Sequence, residues 1–162
     1  MDKTFIIQPE SGLQFDWKAI ASNPSGRHES AMDLVAYKAL YINKVSQARA
    51  IGFEPVLMSL PIMDENRYFA HITSGMSMQE RKNVLYWLGG NTERLRNIHA
   101  LYNLLLFRLA ATQNVPVIDI TSPMLADPNF DELLESDGVT LSAQGEALVN
   151  SELHKAQAHE AA

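Results

Sequence analysis

Residues 115–149 read V-P-V-I-D-I-T-S-P-M-L-A-D-P-N-F-D-E-L-L-E-S-D-G-V-T-L-S-A-Q-G-E-A-L-V. Val115 to Ile120 is a short apolar run rich in β-branched residues, the pattern of a buried strand. One or two short helical pieces fit the loop behind it. Asp137-Gly138-Val139-Thr140 then makes a tight turn, and Ser142 opens a final helix from Ala143. Open α/β proteins place their sites where a strand hands polar residues to a loop ahead of a helix N-terminus. Everything upstream reads as scaffold for that corner.

Working outward, Thr4 to Gln8 is a second buried strand, stopped by Pro9, and Glu10 to Arg27 reads as irregular. Phe15, Trp17 and Ile20 are expected to pin that loop to the body. Ser30 to Asp33 resembles a capping box with a short acid. Leu34, Tyr37, Tyr41, Val45 and Ala48 then mark one helical face, ended by Gly52. Glu54 to Leu60 is a strand, with Pro55 tolerable near its start. Pro61 to Gly75 reads as a loop holding Asp64, Arg67, Tyr68 and His71. Ser77 to Glu80 is a full capping box for a short helix through Trp87, closed by Gly89-Gly90. Asn91 caps a long helix to about Gln113, with Leu95, Ile98, Leu101, Tyr102, Leu105, Leu106 and Leu109 on its apolar face. The order β-α-β-α-α-β-α predicts an α/β domain of three layers, flavodoxin-like, with a short parallel sheet. No repeat or linker divides it, so residues 1–162 are expected to form one domain.

Composition narrows the function. The 162 residues carry a net charge of −6 and a pI near 5.3. Nucleic acid and anionic membrane both need a basic face, so neither is expected as a main partner. There is no cysteine, hence no disulfide, thiolate site or sulfur-ligated zinc. With no membrane-length apolar run and no signal-peptide layout after Met1, the expected location is the cytoplasm. No cofactor and no metal is expected: there is no His-Glu-x-x-His pattern, and His154 and His159 lie in the tail.

Four segments resemble the SGNH (GDSL-type) hydrolase family of esterases and acylhydrolases. Arg49 to Leu57 looks like that family's passage from helix into its fourth strand. Tyr102-Asn103 with Leu109-Ala110 resembles its next helix, and Val115 to Ile120 its fifth strand. Asp137-Gly138-Val139-Thr140-Leu141-Ser142-Ala143-Gln144-Gly145 is similar to its last block, Asp-x-x-His followed by a glycine-bearing helix start. The resemblance covers about the last two thirds of the chain and implies cleavage of small ester or acyl substrates through a covalent acyl-enzyme. It makes Asp137 the triad acid and puts Thr140 where the family has its base.

That position is a departure. In a triad the acid orients an imidazole, and the imidazole takes the serine proton. A threonine hydroxyl is far too weak a base at neutral pH. The nucleophile block departs too, because the nearest text is Pro9-Glu10-Ser11-Gly12. Ser11 is either a degenerate nucleophile or stands where the family's third-strand block puts an oxyanion-hole Asn. The second alignment is preferred, since one helix and one strand leave no room for two further strands. The family's first strands would then be missing.

Plainer readings stand beside these. Asp137 makes an Asx turn, with Thr140 or Ser142 capping the last helix. Asp119 caps the turn after its strand. His99 and Asn103 form a hydrogen-bonded surface pair. His71 is an ordinary loop histidine, with the role of substitute base as a side reading because its loop lies at the ligand-binding end of the sheet. Two functions follow: a catalytically impaired hydrolase relative, or a non-catalytic binding or assembly module or truncated fragment of an esterase, with the second favoured for this chain alone. A flavodoxin-like ligand module ranks last, because no glycine-rich phosphate loop is present. Without the first strands, Thr4 to Gln8 becomes a free apolar edge, which predicts a homodimer or pairing with another polypeptide there.

Overall fold

The computed structural model describes residues 3–161, with side chains described to Ala158. Three parallel strands, β1 (Thr4–Ile7), β2 (Glu54–Met58) and β3 (Val117–Ile118), lie in the order β1-β2-β3. Register pairs Ile6 with Val56 and Met58 with Ile118. Leu57 N–H reaches Pro116 O at 2.9 Å, so the odd-numbered residues of β2 face β3. Pro55 therefore points its missing donor to the β3 side one pair before β3 begins, where no ladder bond is lost.

The helices are α1 (Trp17–Ser22), α2 (Leu34–Ala50), α3 (Glu65–Ile72), α4 (Met78–Trp87), α5 (Glu93–Thr112), α6 (Thr121–Ala126) and α7 (Ala143–Ala161), with a 3-10 turn at Phe130–Leu133. On one face of the sheet, α2 and α5 bury Tyr37, Tyr41, Val45, Leu106 and Leu109 against Ile7, Leu57 and Val115. On the other, Met58 and Ile120 pack with Met124, Leu133, Leu134 and Val149. A third cluster sits off the carboxyl ends of the strands, where Leu13 and Met63 meet Ile20, Tyr68, Val84, Leu88 and Leu95. Each fully buried aliphatic side chain there contributes about 1.5–3 kcal/mol relative to exposure. The mixed α/β architecture with a short parallel sheet is the one the sequence predicts.

Several local expectations need correction. Two short helices occupy stretches read as loop. Asp16 caps α1 through Ala19 N–H at 3.0 Å, and Asp64 caps α3 through Asn66 and Arg67 N–H, both at 3.1 Å. The cap of α2 is Asp33, bonding Ala36 N–H at 2.8 Å, while Ser30 turns away to donate to Gly12 O. Leu34 and Leu101, assigned to buried faces, are 42% and 52% exposed. β2 and β3 are shorter than their apolar runs: Ser59 N–H still reaches Ile118 O at 3.0 Å, but Leu60 and Ile120 are buried outside the strands. The capping box of α4 is present in full: Ser77 Oγ accepts from Glu80 N–H, and Glu80 Oε1 accepts from Ser77 N–H.

Candidate active-site corner

Three loops leave the carboxyl end of the sheet, and each is held by groups from distant elements. After β1, the backbone of Glu10 is held between two buried tyrosines: its N–H donates to Tyr41 Oη at 2.8 Å, and its carbonyl accepts from Tyr37 at 2.6 Å. Burial, reinforced by the neighbouring Tyr41, pushes the Tyr37 phenol well above its ordinary value, so Tyr37 stays a neutral donor. Gly12 lies against the Tyr102 ring so closely that any Cβ would collide with it. Ser11 between them is half-buried, and its Oγ accepts from Leu13 N–H at 3.1 Å.

After β2, fully buried Ser59 accepts from Ile120 N–H at 2.8 Å and from Thr121 Oγ1 at 2.9 Å. Asn103 on α5 accepts from Leu60 N–H at 2.9 Å and donates to Thr121 Oγ1 at 3.1 Å. These bonds join the loops after β2 and β3 to the long helix, a role the one-turn spacing of His99 and Asn103 does not reveal. His99 is partly buried, with Nδ1 closed off from solvent, and turns Nε2 to Pro61 O at 2.8 Å; no hydrogen bond pairs it with Asn103 among the described residues. Asp119 does cap the next turn, accepting from Ser122 N–H at 3.0 Å and Ser122 Oγ at 2.5 Å. Burial pushes its carboxyl up, but these bonds outweigh that and hold it below the ordinary value.

The corner between β3 and α7 is tied down by α3. A bridge between Leu134 and Leu141 closes the loop, and Gly138 turns it with φ +76°. A Cβ on Gly138 would stand 2.5 Å from Asp64 O and 2.8 Å from Tyr68 N, so the turn both needs the left-handed conformation and admits no side chain. Asp64 N–H donates to Gly138 O at 2.8 Å. Arg67 completes the junction, donating to Asp131 O at 2.6 Å and to Leu134 O and Glu135 O, both at 3.1 Å.

Inside this turn Asp137 Oδ1 accepts from Val139 N–H at 3.0 Å and Thr140 N–H at 2.9 Å, while Oδ2 accepts from Thr140 Oγ1 at 2.6 Å. The Asx turn and the acid-to-Thr140 pairing are thus the same set of bonds. Burial works to raise the Asp137 carboxyl, but the Thr140 hydroxyl and backbone, Val139 N–H and the charge of His71 prevail and hold it below the ordinary value. Ser142, not Thr140, caps α7, accepting from Gly145 N–H at 3.1 Å.

His71 lies in the last turn of α3, exposed, and not in a loop. Its charge is felt at Asp137, although no hydrogen bond joins the two among the described residues. Ser11 and Asp137 share the carboxyl end of the sheet through Tyr68: the phenol donates to Leu13 O at 3.4 Å, and the Asp137 charge adds to the burial that raises Tyr68. No hydrogen bond joins Ser11 to Asp137 or Thr140 among the described residues. Beside the corner's aromatic wall, a hollow of about 700 Å³ is lined by Phe15, Trp17, Ile72, Met76, Lys18 and Glu80. Phe15 and Trp17 each meet Trp87 edge to face, ring centroids 5.2 and 6.1 Å away. Among the described residues no three of His, Cys, Asp and Glu gather as metal ligands, and no helix is long and apolar enough to cross a membrane.

This architecture has counterparts among solved structures. A GDSL-like lipase from Bacteroides thetaiotaomicron superposes with a TM-score of 0.51 at 14% identity, over 84% of this chain and 56% of that one. A lipase/acylhydrolase from Enterococcus faecalis matches with a TM-score of 0.46 at 18% identity, over 74% of this chain and 49% of that one. No family model and no curated protein matches the sequence. The fold is therefore similar to that of the GDSL-like lipase, and the chain spans about half the length of these two structures.

Proposed function

We propose that this chain is a catalytically impaired relative of ester- and acyl-cleaving hydrolases that serves as a binding or assembly module. The observation that carries the reading is the 2.6 Å bond from Thr140 Oγ1 to Asp137 Oδ2. A triad acid works by holding an imidazole in the tautomer and direction that accept the serine proton. Here the carboxylate spends both oxygens on its own turn, and the group it holds does not accept a proton at neutral pH. Ser11, as nucleophile or as oxyanion donor, has no base within hydrogen-bond reach among the described residues.

The alternative is residual hydrolysis of small esters with His71 as a substitute base, which the pull of its charge on Asp137 favours. Hydrolysis of p-nitrophenyl acetate by wild type, Ser11→Ala, His71→Ala and Thr140→His separates the two. The impaired reading expects wild type and both alanine variants at the same background rate. Activity appearing on Thr140→His would identify a site intact except for its base. Turnover in wild type that falls by about a hundredfold or more in Ser11→Ala or His71→Ala would overturn it, since a positioned acid–base group contributes on the order of 10²–10⁴-fold.

A further inference from the structure

The net charge of −6 is the sum of two unlike faces. Helices α2 and α5 carry six of the chain's 13 Lys and Arg but only one, Glu93, of its 19 Asp and Glu. Residues 127–152 carry seven acids and no Lys or Arg, and they pack on the opposite face of the sheet through Leu133, Leu134 and Val149. The two basic helices lie side by side and parallel. Tyr102 Oη donates to Met32 O at 2.7 Å just ahead of α2, and Arg49 Nη2 donates to Gln113 O at 2.8 Å just behind α5. On α5, Arg94, Asn97, Leu101, Leu104 and Arg108 recur at three- and four-residue steps, turned away from buried Tyr102, Leu106 and Leu109. On α2, Val35 and Lys38 stand on the stripe that includes Arg49, which is the side toward α5. The shared outer surface is apolar as well as basic: Val35 is 80% exposed, Leu104 66% and Leu101 52%. Arg96 is paired with Glu65, but Lys38, Arg94 and Arg108 are exposed and make no ion pair or hydrogen bond among the described residues.

We infer that this face rests on an anionic lipid surface, with α2 and α5 lying in the plane of the headgroups. Aliphatic side chains between unpaired cations are what such a surface takes up: the apolar groups enter the acyl boundary and the long basic side chains reach the anionic headgroups. Other occupants fit less well. A nucleic acid would engage the cations through its phosphates but leave Val35, Leu101 and Leu104 in water. Protein interfaces are anchored by aromatic side chains, and the outer sides of α2 and α5 expose none among the described residues. A second copy could offer its acidic side, but the two faces lie on opposite sides of the sheet, so such contacts run head to tail without closing. The same asymmetry orients the molecule, because the acidic side is repelled by an anionic surface and the basic helices arrive first. An overall negative charge therefore does not exclude a membrane partner here. Attachment is peripheral, by side chains of two helices, and it is independent of how the Asp137 corner is read.

The test is co-sedimentation with vesicles of phosphatidylcholine alone and of about three parts phosphatidylcholine to one of phosphatidylserine. The protein is expected on the anionic vesicles only, and less of it as salt is raised. Each cation near such a surface contributes about fivefold in affinity, so Lys38→Gln, Arg94→Gln and Arg108→Gln together should weaken binding by on the order of a hundredfold. All three side chains are exposed, so the helical far-ultraviolet signal should not change. A second variant reads contact directly. The chain has no cysteine, so Leu104→Cys takes a single environment-sensitive dye, whose emission should shift to the blue on anionic vesicles. Absence of binding to anionic vesicles at low salt overturns the inference, as does binding that the triple variant leaves unchanged. A dye that stays wet on vesicles but is covered in concentrated protein alone assigns the face to a second copy and overturns it too.

Discussion

His99 is held by one bond and lacks another. Pro61 O can only accept, so the proton must sit on Nε2, and Nδ1 is left as a bare acceptor buried without a partner among the described residues. Burial pushes the imidazole pKa below its ordinary value, and the bond to Pro61 O opposes this only in part. A histidine depressed in the folded state takes up its proton more readily when unfolded. Its contribution is complete above the unfolded value of about 6.5 and is lost as pH falls toward the folded one. The urea midpoint should therefore drop between about pH 7.5 and pH 5.5, a range in which ordinary carboxylates stay ionised. His99→Gln keeps a donor for Pro61 O but cannot titrate, and should flatten that drop. A wild-type midpoint that does not fall over this range would contradict the assignment. At this scale the sequence is a poor guide: the spacing of His99 and Asn103 says only that they share a helix face, and burial decides the rest.

Among the elements, α3 has the largest consequence for its size. It is eight residues long, begins at an Asx cap and delivers Arg67 and Tyr68 to the corner. The guanidinium donates to Asp64 Oδ2 at 3.0 Å as well as to three carbonyls of the 131–135 loop. Arg67→Lys keeps the charge but cannot reproduce a planar fork that spans those acceptors. The variant should lose about 1–3 kcal/mol in chemical denaturation, the cost of leaving such acceptors without their charged donor. Proteolytic cutting should concentrate between Asp131 and Asp137, and an unchanged cleavage pattern would count against the clamp. The helix was hard to see because Asp64-Glu65-Asn66 is polar and the apolar spacing after it is too short to establish a period. Long amphipathic stretches were legible for the opposite reason. The faces of α2 and α5 follow from Tyr37, Tyr41, Val45, Leu95, Tyr102, Leu106 and Leu109, all buried. Leu34 and Leu101 fail because they sit at the margins of those stripes, where the sheet no longer covers them.

At the level of the whole molecule, strand order and layer arrangement were readable from alternating apolar runs and helices, because a parallel sheet must bury both faces. The candidate corner was readable as a turn, but its partners were not. Asp64, Arg67 and Tyr68 stand some seventy residues before Asp137 in sequence and meet it only through tertiary packing. Gly138 and Asp137 nonetheless carried a usable local signal, since that dipeptide favours a positive-φ turn with an Asx bond. The corner is thus closed around a hydroxyl, with Thr140 Oγ1 donating to Asp137 Oδ2. The measurement that bears on this most directly is the titration of the Asp137 carboxyl by carbon NMR, in wild type and in Thr140→Val. The bonds described here predict a wild-type midpoint below the ordinary aspartate value of about 3.9 and an upward move when the Thr140 hydroxyl is removed. An Asp137 that titrates at the ordinary value, unmoved by the substitution, would show that this hydroxyl does not hold the carboxylate.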